Sequence, residues 1–167
     1  IADSAQGYGA RYDGRITGSI GDIATTSFFP AKPLGCYGDG GAIFTNDDEL
    51  ANKTRMIVNH GQTVQYYHDE IGVNSRLDSV QAAILRCKLP HLDTYNRKRY
   101  ETALYYNAAF AGMEQLITPC IDSQSTHVFH QYTLRLKGVD RAALKDFLAN
   151  KEVPAMIYYP VPLHMQK

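Results

Sequence analysis

A single lysine stands between an apolar run and a cluster of glycines, and this segment constrains the fold more than any other part of the chain. It covers residues 27–41 and reads Ser-Phe-Phe-Pro-Ala-Lys-Pro-Leu-Gly-Cys-Tyr-Gly-Asp-Gly-Gly. The pattern predicts a tight loop that holds Lys32 just after a buried strand. Apolar neighbours favour the neutral form of a lysine amine, which can attack a carbonyl and form a Schiff base. A lysine that simply points into solvent is the alternative.

The start of the chain supplies a carboxylate and an amide that fit the same chemistry. Asp3 follows an apolar start, at the predicted end of a strand, and Gln6 comes three residues later. A buried carboxylate needs a cation, and a protonated pyridine nitrogen would supply one in a pyridoxal phosphate (PLP) site. Ser27, at the end of the next strand, can donate to a phosphate. The alternatives are a turn or cap for Asp3, a surface amide for Gln6 and a structural hydroxyl for Ser27.

The composition argues against several classes of function. The 167 residues suffice for one large domain or parts of two, and 44% of them are hydrophobic, as in a globular core. Lysine plus arginine equals aspartate plus glutamate, 17 against 17, which argues against a nucleic-acid or membrane-surface role driven by net charge. No apolar run approaches a membrane span. The three cysteines are widely spaced, which predicts reduced thiols in a cytoplasmic protein.

Hydrophobic periodicity and turn residues predict strands and helices in succession. We expect strands at residues 21–29, 42–45, 128–136 and 155–159. We expect helices from the cap at residues 46–48 to about Met56, from a Ser75 cap to Gly112 with a break at Pro90, and after an Asp140 cap. Residues 60–74 have no clear period and are predicted to form an irregular loop. The predicted class is therefore α/β, with a small α+β subdomain from about Leu92 onward.

The order of the motifs gives the chain a family resemblance. Short polar and glycine-rich motifs follow one another along essentially the whole sequence, at residues 3–10, 18–22, 27–35, 38–41, 59–61, 71–78, 81–85 and 158–164. This series resembles the DegT-type nucleotide-sugar aminotransferases, which are fold-type I PLP-dependent enzymes. One glycine motif alone would be a weak signal, whereas the ordered series is specific.

The resemblance implies a role for five residues. Lys32 matches the lysine that joins PLP covalently, and Asp3 matches the carboxylate that pairs with the pyridine nitrogen. Gln6 matches an amide near the 3-hydroxyl of the cofactor, and Ser27 matches a phosphate ligand. Asn74 matches an asparagine that reaches the phosphate in the neighbouring subunit, which implies a homodimer with shared active sites.

Two histidines and one tyrosine are less definite within the same resemblance. His60 and His164 fall in motifs near the active site, where they can contact substrate or serve as hydrogen-bonded structure. Tyr8 stands where many members carry a histidine, which leaves the contacts at the cofactor edge open.

The resemblance also predicts how the chain divides. Residues 1–91 match the C-terminal portion of the large PLP-binding domain, and residues 92–167 match a linking helix and the start of the small C-terminal domain. The N-terminal half of the large domain has no counterpart in this sequence. We therefore expect a fragment that by itself binds PLP poorly.

The implied activity is transfer of an amino group, usually from glutamate, to a nucleotide-linked keto-sugar in the cytoplasm, as in polysaccharide or antibiotic-sugar synthesis. A PLP-dependent sugar dehydratase is one alternative, but those enzymes carry histidine where this chain has Lys32. A non-catalytic fold or dimer module is another. A metal site at His60 and His68 is disfavoured, because no thiol completes a tight set of ligands.

Overall fold

The computed structural model describes all 167 residues and contains nine short strands and four α-helices. The strands are β1 (Ala2–Asp3), β2 (Arg11–Tyr12), β3 (Arg15–Ile16), β4 (Ala24–Ser27), β5 (Gly41–Phe44), β6 (Gln62–Val64), β7 (Tyr67–His68), β8 (Leu116–Ile117) and β9 (Arg135–Leu136). The helices are α1 (Asp48–Val58), α2 (Ser79–Lys88), α3 (Leu92–Ala109) and α4 (Arg141–Asn150). None of the helices combines the length and apolar character needed to cross a membrane.

The chain forms two compact units. The first contains residues 1–109 and 120–132, and the second contains residues 110–119 and 133–167. Strands β1 to β7 and helices α1 to α3 belong to the first unit, whereas β8, β9 and α4 belong to the second. The predicted boundary between residues 91 and 92 concerns the large and small domains that the resemblance implies, and it stays a prediction.

A three-stranded sheet in the order β1-β4-β5 organises the first unit. Strand β1 pairs in parallel with β4, with Asp3 opposite Thr25, and β5 pairs antiparallel to β4, with Gly41 opposite Ser27. The remaining strands form three separate antiparallel pairs. Because parallel strands point the same way, the carboxyl ends of β1 and β4 meet at one edge of the sheet.

The hydrophobic core is built largely from the segment that follows β4. Its buried side chains come from this segment, from α2 and from the start of α3, and they are Phe28, Leu34, Cys36, Leu85 and Leu92. Tyr8 and Ala42 pack against them while partly exposed. Burial of these apolar groups holds the segment that contains Lys32 against the helices.

Local signals in the sequence account for most of the helix boundaries. The carboxylate of Asp47 accepts hydrogen bonds from the backbone N–H groups of Glu49 and Leu50 and begins α1, as predicted. The Asp140 carboxylate caps α4 in the same way. Pro90 lies in a 3₁₀ turn between α2 and α3, which confirms the predicted break.

Two predicted helix ends are displaced. The predicted Ser75 cap is wrong, because α2 begins at Ser79 and Asp78 occupies the cap position without a side-chain hydrogen bond. The N–H of Ser75 instead donates to the carbonyl oxygen of Val58, at 2.9 Å, and ties the approach to α2 to the end of α1. Helix α3 ends at Ala109, before the predicted Gly112.

Three predictions for irregular regions are wrong. Residues 60–74, predicted as a loop, contain the hairpin β6–β7. Of the strand predicted at residues 128–136, only Arg135–Leu136 pairs. The consecutive residues Val128 and Phe129 are both buried, and Phe129 has φ 44°, so the chain cannot alternate as a strand does. Residues 155–159 form no strand because no neighbouring segment pairs with them.

Candidate active site

Lys32 lies in a loop that closes on itself. We call residues 28–36 the lysine loop. Its two ends meet where the backbone N–H of Cys36 donates to the carbonyl oxygen of Phe28, at 2.8 Å, and the Cys36 thiol donates to the same oxygen, at 3.0 Å. Within the loop, the N–H of Lys32 donates to the carbonyl oxygen of Phe29, at 2.8 Å. Lys32 is half-buried and lies in a short turn whose two ends are joined by these hydrogen bonds.

Glycine is required where the lysine loop returns past its own start. A Cβ atom at Gly35 would lie 2.4 Å from the carbonyl oxygen of Pro30 and 2.8 Å from that of Phe29. A Cβ atom at Gly40 would lie 2.9 Å from a methyl group of Leu77. At Gly35 a side chain would push the loop backbone apart, whereas at Gly40 it would displace the Leu77 side chain.

Asp3 and Ser27 leave the sheet at the same edge as the lysine loop. Asp3 ends β1 and Ser27 ends the adjacent parallel strand β4, while Gln6 follows in the turns after β1. The Asp3 carboxylate accepts a hydrogen bond from the N–H of Ala5, at 2.9 Å, and the Ser27 hydroxyl accepts one from Phe29, at 3.2 Å. The expectation that Asp3 is buried is wrong, since its side chain extends from the strand end into solvent.

The charged groups at this edge have no counter-ion in the chain. The two ion pairs of the structure join Lys53 to Glu70 and Arg97 to Glu101, so neither the Lys32 ammonium nor the Asp3 carboxylate is paired. An amine, a carboxylate and a hydroxyl at one sheet edge supply the partners for an aldehyde, a ring nitrogen and a phosphate. The residues present therefore fit PLP.

His130 belongs to the surroundings of Lys32 although the sequence did not indicate it. Its ring nitrogen Nδ1 is buried and has no hydrogen-bond partner. Burial lowers the pKa of His130, and the positive charges of Lys32 and Arg99 lower it further. Arg99 also lies with Nη1 at 3.5 Å from the His130 carbonyl oxygen. The one available signal was Arg99 itself, a charged residue among apolar positions of the predicted helix that recur at helical spacing, such as Leu92, Tyr95 and Ala103.

Asn74 and His60 lie in the segment between α1 and α2. Asn74 forms an isolated β-bridge with Asn59, and the N–H of His60 donates to the carbonyl oxygen of Val73, at 3.0 Å. Both side chains are exposed, and no hydrogen bond joins them to the Lys32 group. A cavity of about 430 Å³ beside His60 is lined mainly by the β6–β7 hairpin and Arg76.

The two remaining histidines of the predicted sites are accounted for separately. A ring nitrogen of His68 lies 2.8 Å from the carbonyl oxygen of His60, so these two residues meet through the backbone rather than through their rings. His164 lies in the second unit, exposed in the 3₁₀ turn Leu163–Met165.

Comparison with known proteins identifies the family. The profile of the DegT/DnrJ/EryC1/StrS aminotransferase family matches residues 1–167, so the chain belongs to this family. The family depends on PLP in general. This result confirms the resemblance that the motifs indicated.

Individual relatives are similar in sequence over nearly the whole of this chain. A UDP-2-acetamido-2-deoxy-3-oxo-D-glucuronate aminotransferase from Pseudomonas aeruginosa is 45% identical over 166 residues, or 99% of this chain and 45% of that protein. A pleiotropic regulatory protein from Geobacillus stearothermophilus is 49% identical over 168 residues, with the same two coverages of 99% and 45%.

A solved relative confirms the fold. The crystal structure of DesV from S. venezuelae, in complex with a ketimine intermediate, has a TM-score of 0.93 and 41% identity, covering 98% of this chain and 43% of that one. The predicted class, an α/β chain of the fold-type I PLP-dependent transferases, is thereby confirmed. The chain spans slightly under half the length of the relatives it matches.

Proposed function

We propose that the protein is a PLP-dependent aminotransferase that moves an amino group, from glutamate as the usual donor, to a keto-sugar attached to a nucleotide. One observation carries the proposal: an unpaired lysine in a closed, glycine-dependent loop follows a strand whose parallel neighbour ends in an unpaired aspartate. Relatives that cover the whole chain are named as aminotransferases of such sugars.

The residues at the sheet edge divide the work. When bound, PLP supplies an electron sink for the electrons released at the substrate carbon. The Lys32 amine would hold the cofactor covalently and would serve as the base that moves a proton between the amino-acid α-carbon and the cofactor. Asp3 would pair with the pyridine nitrogen and favour its protonated form. Gln6 would lie near the 3-hydroxyl, and Ser27 would bind the phosphate.

The remaining predicted residues complete the site from other parts of the protein. We assign Asn74 to the phosphate bound in the partner of a homodimer, and His60 and His164 to the neighbourhood of the substrate. The exposure of all three side chains supports these assignments, because each is accessible to groups outside the chain. We also assign the protein to the cytoplasm, because the wide spacing and odd number of Cys36, Cys87 and Cys120 favour reduced thiols.

Covalent attachment of PLP tests the proposal directly. We expect the full-length protein to turn yellow with PLP, and borohydride reduction to fix the cofactor on the peptide that contains Lys32. Lys32→Ala removes the only amine that the proposal uses, so the near-visible absorbance and transamination should both disappear. A panel of nucleotide keto-sugars with glutamate then identifies the acceptor. A Lys32→Ala protein with full activity would refute the assignment.

A further inference from the structure

Helix α2 contacts the segment that follows Lys32 at two points. We call residues 35–38 the return arm. The side-chain oxygen Oε1 of Gln81 accepts a hydrogen bond from the N–H of Tyr37, at 2.7 Å. The Lys88 ammonium donates to the carbonyl oxygen of Gly35 and lies 5.8 Å from the centre of the Tyr37 ring. Both Gln81 and Lys88 are half-buried, and the contact of Lys88 with Gly35 is partly screened from water, whereas that of Gln81 with Tyr37 is exposed.

The spacing of these residues on α2 explains why they act on the same segment. Gln81 and Lys88 are seven residues apart, which places them on one face of the helix about two turns from each other. Leu85 lies between them on that face and is buried in the core cluster with Leu34 and Cys36. An apolar contact flanked by two polar contacts fixes both the distance and the direction of the return arm.

A glycine in the return arm allows its backbone to approach helix α2 closely. A Cβ atom at Gly38 would lie 3.2 Å from Nε2 of Gln81, closer than most side chains tolerate. The Cys36 sulfur, whose single proton can point to the carbonyl oxygen of either Phe28 or Gly38, lies 3.1 Å from the Gly38 oxygen. The arm therefore has little freedom to move relative to α2.

We propose that Gln81 and Lys88 are positioning residues that hold the lysine loop so that the Lys32 amine meets the aldehyde of PLP. The proposal rests on the function proposed above. The amine adds to the aldehyde carbon and water leaves, so a small displacement of the loop lowers the stability of the bond that forms. The Lys32 ammonium has no ion pair of its own, which leaves the loop backbone and its supports to set its position.

The test compares two forms of the cofactor. Pyridoxal phosphate can join Lys32, whereas pyridoxamine phosphate carries an amine in place of the aldehyde and cannot. Gln81→Leu and Lys88→Met in the full-length protein should each raise the dissociation constant of pyridoxal phosphate about tenfold, and leave that of pyridoxamine phosphate within about twofold. Arg86→Met, an equal loss of charge at an exposed position of α2, is the control and should change neither.

Lys88→Arg separates positioning from general stability, because it keeps a donor for the Gly35 carbonyl oxygen. It should restore most of the affinity for pyridoxal phosphate. Equal losses for both cofactor forms, no loss for either, or an arginine variant as weak as the methionine variant would each overturn the proposal. If Lys88→Met does not fold, Gln81→Leu against Gln81→Glu, which keeps an acceptor oxygen, makes the same comparison.

The outcome also separates this proposal from the assigned function. If borohydride reduction of the unaltered protein attaches no PLP to Lys32, the proposed function fails. If the cofactor is attached to Lys32 in the unaltered protein and the α2 variants bind both cofactor forms as it does, only the positioning role fails.

Discussion

The imidazole of His130 is held in surroundings that disfavour its charged form. Burial is the larger cause of its lowered pKa, and the charges of Lys32 and Arg99 act in the same direction. Since the folded state binds the proton less readily than the unfolded chain, the unfolded chain gains protons first as the pH falls below the ordinary value of 6.5. The contribution of neutral His130 to stability is therefore present above that value and lost in acid.

Replacing His130 tests this dependence. We expect the urea midpoint of the unaltered protein to fall between about pH 7.5 and about pH 5.5, and the fall to be smaller in His130→Gln, which has no ring to protonate. His91→Gln, at an exposed position, is the matched control and should keep the original slope. Equal slopes for the His130 variant and the unaltered protein would contradict the prediction.

Single residues differ in how far the sequence reveals them. Lys32 and Ser27 could be placed from the sequence, because strand, loop and glycine signals lie within a few residues of them. The burial of Asp3 was predicted wrongly, since nothing in a sequence tells how much of a strand end is covered. His130 could not be placed, because its surroundings come from Arg99, 31 residues earlier, and from the lysine loop, which meet only in the folded chain.

At the scale of the elements, the closed form of the lysine loop depends on the missing side chain of Gly35. Gly35→Ala places a methyl group within 2.4 Å of the Pro30 carbonyl oxygen, so the loop must open. We expect a loss of about 1–3 kcal/mol in the free energy of unfolding. Gly7→Ala is the control, because its nearest contact is an ordinary 3.9 Å, and the change there should stay below about 1 kcal/mol. Urea unfolding of both variants measures the difference, and equal values would show that the loop is not tightly closed.

Elements with strong local signals were predictable, and those that depend on distant partners were not. Short-range signals predict the helix caps at Asp47 and Asp140 and the break at Pro90, and each of these features is present in the structure. The β6–β7 hairpin was missed because its strands are only three and two residues long and its turn places a tyrosine, Tyr66, at φ 72°. A tyrosine gives no indication in the sequence that its backbone will adopt a positive φ, as a glycine would.

The proposed role of Asn74 depends on the assembly of the whole molecule into a dimer. Asn74 lies between α1 and α2, with an exposed side chain and no hydrogen bond to Lys32, Asp3 or Ser27. An exposed residue of this kind can contribute to the active site of a second copy of the chain. In a two-fold dimer, the second copy then contributes its own Asn74 to the first site in the same way. Under this proposal, each active site of the dimer contains Lys32 from one chain and Asn74 from the other.

Mixing two defective proteins tests whether sites are shared. Asn74→Ala should weaken PLP binding, and Lys32→Ala should abolish activity. In a mixture that exchanges subunits, about half of the dimers contain both variants, and each of these has one site with an intact Lys32 and an intact partner Asn74. At limiting PLP, we expect about a quarter of the activity of the unaltered dimer. Each variant alone is the control, and a mixture no more active than the Asn74→Ala protein it contains would place both residues on one chain.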